Sequence, residues 1–257
     1  MNALRTQLPV ILLLARRGIN ELVRVPGAAI PGAVAPAIFV LSTSAVFGKL
    51  AVLPGFTTSH YLTFAVAVGL LQGAGFSGAA TGVNLARDIE QGWFDRLLLA
   101  PAPRWVLLTG TVLSACLRSL IPMTVLLIVT LALGASFPGL DGLLLAILLV
   151  PAFAAVASLY ATALALHFRT QSAAPLMQAG MFMALLFTTA YAPQALLNGW
   201  LSHVAKYNPV TKVVEGVRQG FVSTVSWHVT YPALLALAGL GVVLALLSAR
   251  ELRRITA

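Results

Sequence analysis

The stretch NLARDIEQGWFDRLLLAPAPR, residues 84–104, carries three of the seven acidic side chains in the chain and three basic ones. It interrupts a sequence that is otherwise almost free of charge. No Asp, Glu, Lys or Arg occurs from 51 to 86, and Arg118 is the only one between 105 and 140. A helix that crosses a bilayer needs about 20 apolar residues. A polar, partly amphipathic island therefore stands between two segments that are each long enough to cross, and it serves contacts outside the lipid.

The totals agree with that reading. Of the 257 residues, 59% are hydrophobic and only 9% are charged, and the mean hydropathy is +0.93. A soluble domain carries about 25% charge, so there is too little polar surface here to cover a globule, and the chain reads as an all-α polytopic membrane protein. The formal charge of +9 does not point to nucleic acid, because the basic residues sit mostly at the ends of apolar runs. A single cysteine, Cys116, leaves no intrachain disulfide and no cysteine-based metal site. Arg16 and Arg17 follow the apolar run 10–15, an order opposite to that of a cleavable signal.

Working outward, residues 3–24 predict an amphipathic interfacial helix bracketed by Arg5, Arg16, Arg17, Glu21 and Arg24, with a disordered basic tail as the alternative. Pro26 and Gly27 mark a turn into the membrane. Six spans are expected at about 28–48, 61–83, 105–134, 143–167, 173–192 and 231–247, with Pro151 as a kink in the fourth. The second contains Gly69/Gly73 and Gly78/Gly82, two small-xxx-small pairs that place it in the interior. Between the last two spans, 196–204 repeats apolar residues at helical spacing, and Asn208-Pro209 provides an N-cap and first-turn proline for a helix reaching about Gly220. These two short helices are expected to rest on, or dip into, the outer half of the bilayer; a surface cap without function is the alternative. Residues 1–27 then form a cytoplasmic tail and interfacial helix, 28–249 the membrane domain and 250–257 a cytoplasmic tail. With both ends cytoplasmic, 11 of the 16 Lys and Arg residues fall inside, which satisfies the positive-inside rule and puts the island on the cytoplasmic face.

Residue chemistry gives no catalytic site. His60, His167, His203 and His228 are scattered with no metal-ligand spacing, and neither a GxSxG elbow nor a GxxxxGK[ST] phosphate loop occurs. No acidic residue lies within the expected spans, as an ion-coupled carrier would require. Energy for uphill transport must come through a partner. On the island, Asp88, Glu90, Asp95 and Arg96 fit a short helix with Phe94, Leu97 and Leu98 as apolar contacts. Gly92 allows a bend, and Pro101 and Pro103 stop the helix. Such a helix fits a groove on a soluble subunit; a solvated loop charged only for topology is the alternative. Arg118 is read either as an orienting residue that snorkels or as a polar contact on a substrate path. Glu215 and Arg218, three apart, are expected to pair with one another in a structural role, with a gating role as the alternative.

The run from Asp88 through Glu90, Gly92, Asp95, Arg96 and Leu97, followed by Pro101 and Arg104, resembles the cytoplasmic signature of ABC-2-type transporter permeases, most of all the daunorubicin/doxorubicin-resistance type. Asn208-Pro209-Val210-Thr211 through Glu215 and Arg218 resembles the family's segment between the last two spans. Trp93-Phe94 stands where many members have less bulky residues. The resemblance implies a type V ABC exporter fold in which two six-span subunits pair, as a homodimer or close heterodimer. Each would dock a separate ATP-binding subunit that holds ATP and Mg, and this chain would hold no cofactor. It also implies that Asp88, Glu90, Gly92, Phe94, Asp95, Arg96 and Leu97 form the coupling element, and that Asn208, Pro209, Thr211, Glu215 and Arg218 belong to an outer gate with re-entrant helices. A hydrophobic or amphiphilic substrate (drug, lipid or glycolipid) suits the apolar spans. A polysaccharide or teichoic-acid exporter of the same broad family is one alternative. A non-transport membrane scaffold or membrane enzyme is another.

Overall fold

The glycines of the second apolar segment decide how the bundle closes. In the computed structural model a Cβ built on Gly78 would lie 2.5 Å from the Ala157 Cβ and 2.6 Å from the Ala154 carbonyl oxygen, and one on Gly82 would meet the Ala161 carbonyl oxygen at 2.6 Å. Two helices therefore touch backbone to backbone, which in lipid is the route to tight packing. Gly78→Ala and Gly82→Ala are each expected to destabilise by about 1–3 kcal/mol through overpacking, read as a lower thermal midpoint in detergent.

The structure describes residues 2–24, 26–56, 58–98 and 103–255, without the side chains at 2–6, 19, 21–31, 33, 98, 104 and 255. The expected roles of Arg5, Glu21, Arg24, Pro101 and the Leu98 and Arg104 side chains lie outside the described residues or side chains, while Pro26 and Gly27, expected as a turn, are instead the first residues of a helix, where a proline's missing N–H costs nothing. Ten α-helices occur among those described: α1 (Asn2–Arg24), α2 (Pro26–Phe47), α3 (Tyr61–Glu90), α4 (Trp93–Leu98), α5 (Arg104–Ala132), α6 (Gly139–Phe168), α7 (Ala174–Leu186), α8 (Gly199–Tyr207), α9 (Pro209–Val222) and α10 (Trp227–Ile255). Short 3₁₀ turns stand at Gly48–Val52, Gln171–Ala173 and Gln194–Leu196, and no strand occurs among the described residues.

Among the described residues, five helical segments are long and apolar enough to cross a membrane: Val34–Val52, Tyr61–Glu90, Trp105–Ala132, Gly139–Phe168 and Trp227–Arg254. The chain is an all-α, multi-spanning membrane protein. Its hub is α3, which packs against α2, α5, α6, α7 and α9. Of its apolar window 89% is buried, against 17% for α10, so α3 is interior and α10 peripheral.

The expected fifth span differs. Helix α7 stops at Leu186 after 13 residues, and residues 187–193 follow as turns and bends. At a rise of about 1.5 Å per residue such a helix reaches only about 20 Å. It still connects the two ends of the bundle. Met177 packs in the cluster with Leu166 and Leu252, whereas Met181 and Leu185 join the cluster of Leu71, Phe153 and Val213.

Helix α1 also does more than lie on a surface. Ile11 and Ala15 are buried, and the side chain of Leu14 closes on Gly110 of α5 while Ser114 closes on Gly18. The island, the 169–173 turn, the Arg17 region of α1 and the C-terminal part of α10 gather at one end of α3. The loops before α3 and α6, the 187–191 segment, α9 and the start of α10 gather at the other.

Candidate functional site

The island begins as the last turns of α3. The Gly92 amide donates to the Ile89 carbonyl at 3.1 Å, and Gly92 itself sits at φ +71°, a conformation that side chains disfavour. That reversal starts α4 and turns Phe94 inward. Phe94 is 3% exposed, in one cluster with Ala86, Leu166, Met177 and Leu252 from α3, α6, α7 and α10. A helix of six residues has one face to lay on the bundle, and Phe94, counted above among the apolar contacts of the coupling element, is on that face. Trp93, Asp95 and Arg96 are exposed, and Leu97 is half-buried.

The two carboxylates at the end of α3 are held within the chain. Both Asp88 oxygens accept from Arg17 Nη2, at 2.8 and 2.9 Å, and the Arg17 guanidinium lies 5.3 Å from the Trp93 ring. Glu90 Oε1 accepts from the Thr170 hydroxyl at 2.6 Å and the Gln171 amide at 3.0 Å, and Oε2 accepts from Gln171 Nε2 at 3.0 Å. Arg118 is 6% exposed. It walls a cavity of about 80 Å³ with Arg17, Thr81, Asn84, Asp88 and Ser114, so it faces the junction of α1, α3 and α5. The partners Arg17, Thr170 and Gln171 were not legible beforehand, since they lie 71 to 81 positions away in the chain.

At the opposite end, Asn208 caps α9 as expected: its Oδ1 accepts from the Val210 amide at 3.0 Å, with Pro209 in the first turn. Its Nδ2 also donates to the Ala184 and Phe187 carbonyls, both at 2.9 Å. Thr211 donates its hydroxyl to the Ala205 carbonyl at 2.7 Å, tying α9 to α8. The expected Glu215–Arg218 pair is replaced. Glu215 accepts from Lys212 Nζ at 3.1 Å, and the Arg218 guanidinium donates to the carbonyls of Phe64 (3.2 Å), Thr189 (2.8 Å) and Ala190 (3.0 Å). Tyr61 adds a bond to the Tyr191 carbonyl at 2.8 Å. The physical reason is the early end of α7. A helix end leaves carbonyls without intrahelical partners, and where the fold covers them they need donors from elsewhere in the protein. Asn208, Arg218 and Tyr61 supply the donors, and Arg218 answers that demand in preference to a single carboxylate.

Both ends lie within one match to a known family. The family model described as ABC-2 type transporter covers residues 9–222. The chain belongs to the ABC-2 type transporter family. No curated protein matches it. The match runs from α1 to the end of α9 and takes in both the α4 island and the Asn208–Arg218 segment. As an ABC-2 permease the chain is not an enzyme. Family membership implies an ATPase partner, and among the described residues no group of three or more His, Cys, Asp and Glu could hold a metal ion.

Proposed function

We propose that this ABC-2 permease is the membrane subunit of an ATP-driven exporter in a bacterial cell membrane. It works as a homodimer or close heterodimer with a separate ATP-binding subunit that holds ATP and Mg. In this reading both termini and α4 are cytoplasmic. Helix α7 and the 187–193 segment together make the fifth of six spans in a type V exporter fold, and α8 and α9 are the re-entrant outer helices. The observation that carries the reading is the build of α4. Trp93, Asp95 and Arg96 face outward, while Phe94 is sunk into a cluster from four other helices. A soluble motor that grips the outer face thereby pushes α3, α6, α7 and α10 together. Asp88 and Glu90 extend the grip to α1 and to the α6–α7 turn. ATP-driven closure of the motor subunits then swings the bundle between inward-open and outward-open forms. The apolar spans suit a hydrophobic or amphiphilic cargo such as a drug, lipid or glycolipid.

The test is co-purification with a co-expressed ATP-binding subunit, followed by substrate-stimulated hydrolysis and transport in liposomes. The triple variant Trp93→Ala, Asp95→Ala, Arg96→Ala is expected to insert and fold normally while its affinity for the ATPase falls about tenfold or more, since exposed aromatic and arginine side chains dominate docking energies. Full retention of the ATPase by that variant, or transport by the permease alone, removes the proposal.

A further inference from the structure

The 187–191 segment and Arg218, a residue that the family resemblance puts in an outer gate, are joined in a way that suggests how such a gate is held. The end of α7 and the segment that follows it are closed by side chains from elsewhere in the fold, at the carbonyls of Ala184, Phe187, Thr189, Ala190 and Tyr191. All four hydrogen bonds given to this segment and to Phe64 by α9 beyond its cap come from one guanidinium, which is 6% exposed and lies 3.7 Å from the Phe64 ring. A weaker contact reaches the Thr189 hydroxyl at 3.5 Å. Arg218 thus joins α9, the unwound segment and the first turn of α3 at a single point.

We propose that Arg218 is a two-position latch on the outer side of the permease: in the closed form it holds the 187–191 carbonyls, and in the open form it withdraws to Glu215. This rests on the exporter reading given above. Two features make the second position available. Glu215 lies one turn before Arg218 on α9, the spacing at which opposite charges meet on a helix. It is occupied here by Lys212, a half-exposed side chain whose bond to it is easily given up. A cavity of about 220 Å³ opens beside the guanidinium, lined by Gly55, Phe64, Thr189, Gln194, Glu215 and Arg218. Water in that cavity can take over the carbonyls as Arg218 leaves them, so no buried acceptor is stranded. The two arrangements, Arg218 on carbonyls with Lys212 on Glu215, and Arg218 on Glu215 with hydrated carbonyls, form a bistable element of the kind a gate requires.

The latch is tested with Ala190→Cys, at a fully buried position, in a Cys116→Ala background reconstituted with the ATPase. A membrane-impermeant maleimide is added on the face opposite α4. The parent is expected to label slowly at rest and faster during ATP turnover. Arg218→Gln is expected to raise the resting rate about tenfold by favouring local opening. Glu215→Gln is expected to label at the parental rate at rest but to lose most of the ATP-driven increase and of transport. Arg218→Lys and Tyr61→Phe, each of which keeps part of the carbonyl clamp, should fall between parent and Arg218→Gln, and they decide the matter if Arg218→Gln does not fold. Parental labelling in the folded clamp variants, or an unchanged ATP response in Glu215→Gln, overturns the latch. If the exporter reading is what fails, ATP brings neither labelling nor transport in the parent, while the resting increase in the clamp variants persists.

Discussion

Asn208→Asp is expected to destabilise the protein at least as strongly as Asn208→Ala, although aspartate is as good a helix cap as asparagine. The reason is that Asn208 works with both ends of its amide. The oxygen caps α9 at Val210, and the nitrogen donates to the Ala184 and Phe187 carbonyls that close α7. Alanine removes all three bonds. Losing the cap costs about 1 kcal/mol, and leaving the two part-buried carbonyls without these donors adds up to about 1 kcal/mol for each. Aspartate keeps the cap but sets an ionised oxygen against two carbonyl oxygens where an N–H stood. It must then repel them or take up a proton. Thermal unfolding in detergent distinguishes the cases. A midpoint for Asn208→Asp close to the parent, with only Asn208→Ala lowered, would mean that capping is the whole role.

Phe94→Ala is expected to give the largest functional loss with the motor still attached. The exposed face of α4 is untouched by this change, so the ATPase should bind and hydrolyse. The ring that keys α4 into the cluster of Ala86, Leu166, Met177 and Leu252 is gone. Truncating a buried Phe typically costs about 3–5 kcal/mol, and here that loss falls on the joint between α4 and four other helices. Transport per ATP hydrolysed should drop about tenfold or more, since each 1.4 kcal/mol withdrawn from a coupling equilibrium is a factor of ten. Phe94→Leu should recover much of it. Parallel measurement of hydrolysis and vesicle transport is the check. Equal losses of both, or unchanged coupling in a folded Phe94→Ala protein, would show that force enters by another route.

The α4 side chains expected to face a partner divide by burial in a way that periodicity does not reveal. In residues 93–98 a helical pattern places Phe94 and Leu97 on one side, but nothing local says whether that side meets the bundle or a visitor. Gly92 decides it: its positive φ turns the chain back so that the apolar side lands on α3, with Phe94 in the cluster of Ala86 and Leu166. The acidic residues illustrate the same point. Asp88 and Glu90 were legible as a polar pair closing α3, whereas their partners, Arg17 and the 170–171 turn, become neighbours only when α1 packs on α5 and α6 packs on α3.

The sequence by itself determined the solvent of this protein, its all-helical class, the interior place of α3, the short helix in the island and the cap at Asn208. Each follows from local chemistry: apolar run length against bilayer thickness, glycine spacing against backbone approach, and a side-chain oxygen beside free amides. Only the tertiary structure decided that α7 ends at Leu186 and that Arg218 leaves Glu215 for the backbone. The benefit to those carbonyls depends on donors that come from Tyr61, Asn208 and Arg218, tens of residues or more away in sequence for most of these bonds. A helix stops in lipid where the fold can replace its missing hydrogen bonds, and that is a property of the assembled neighbours rather than of the segment.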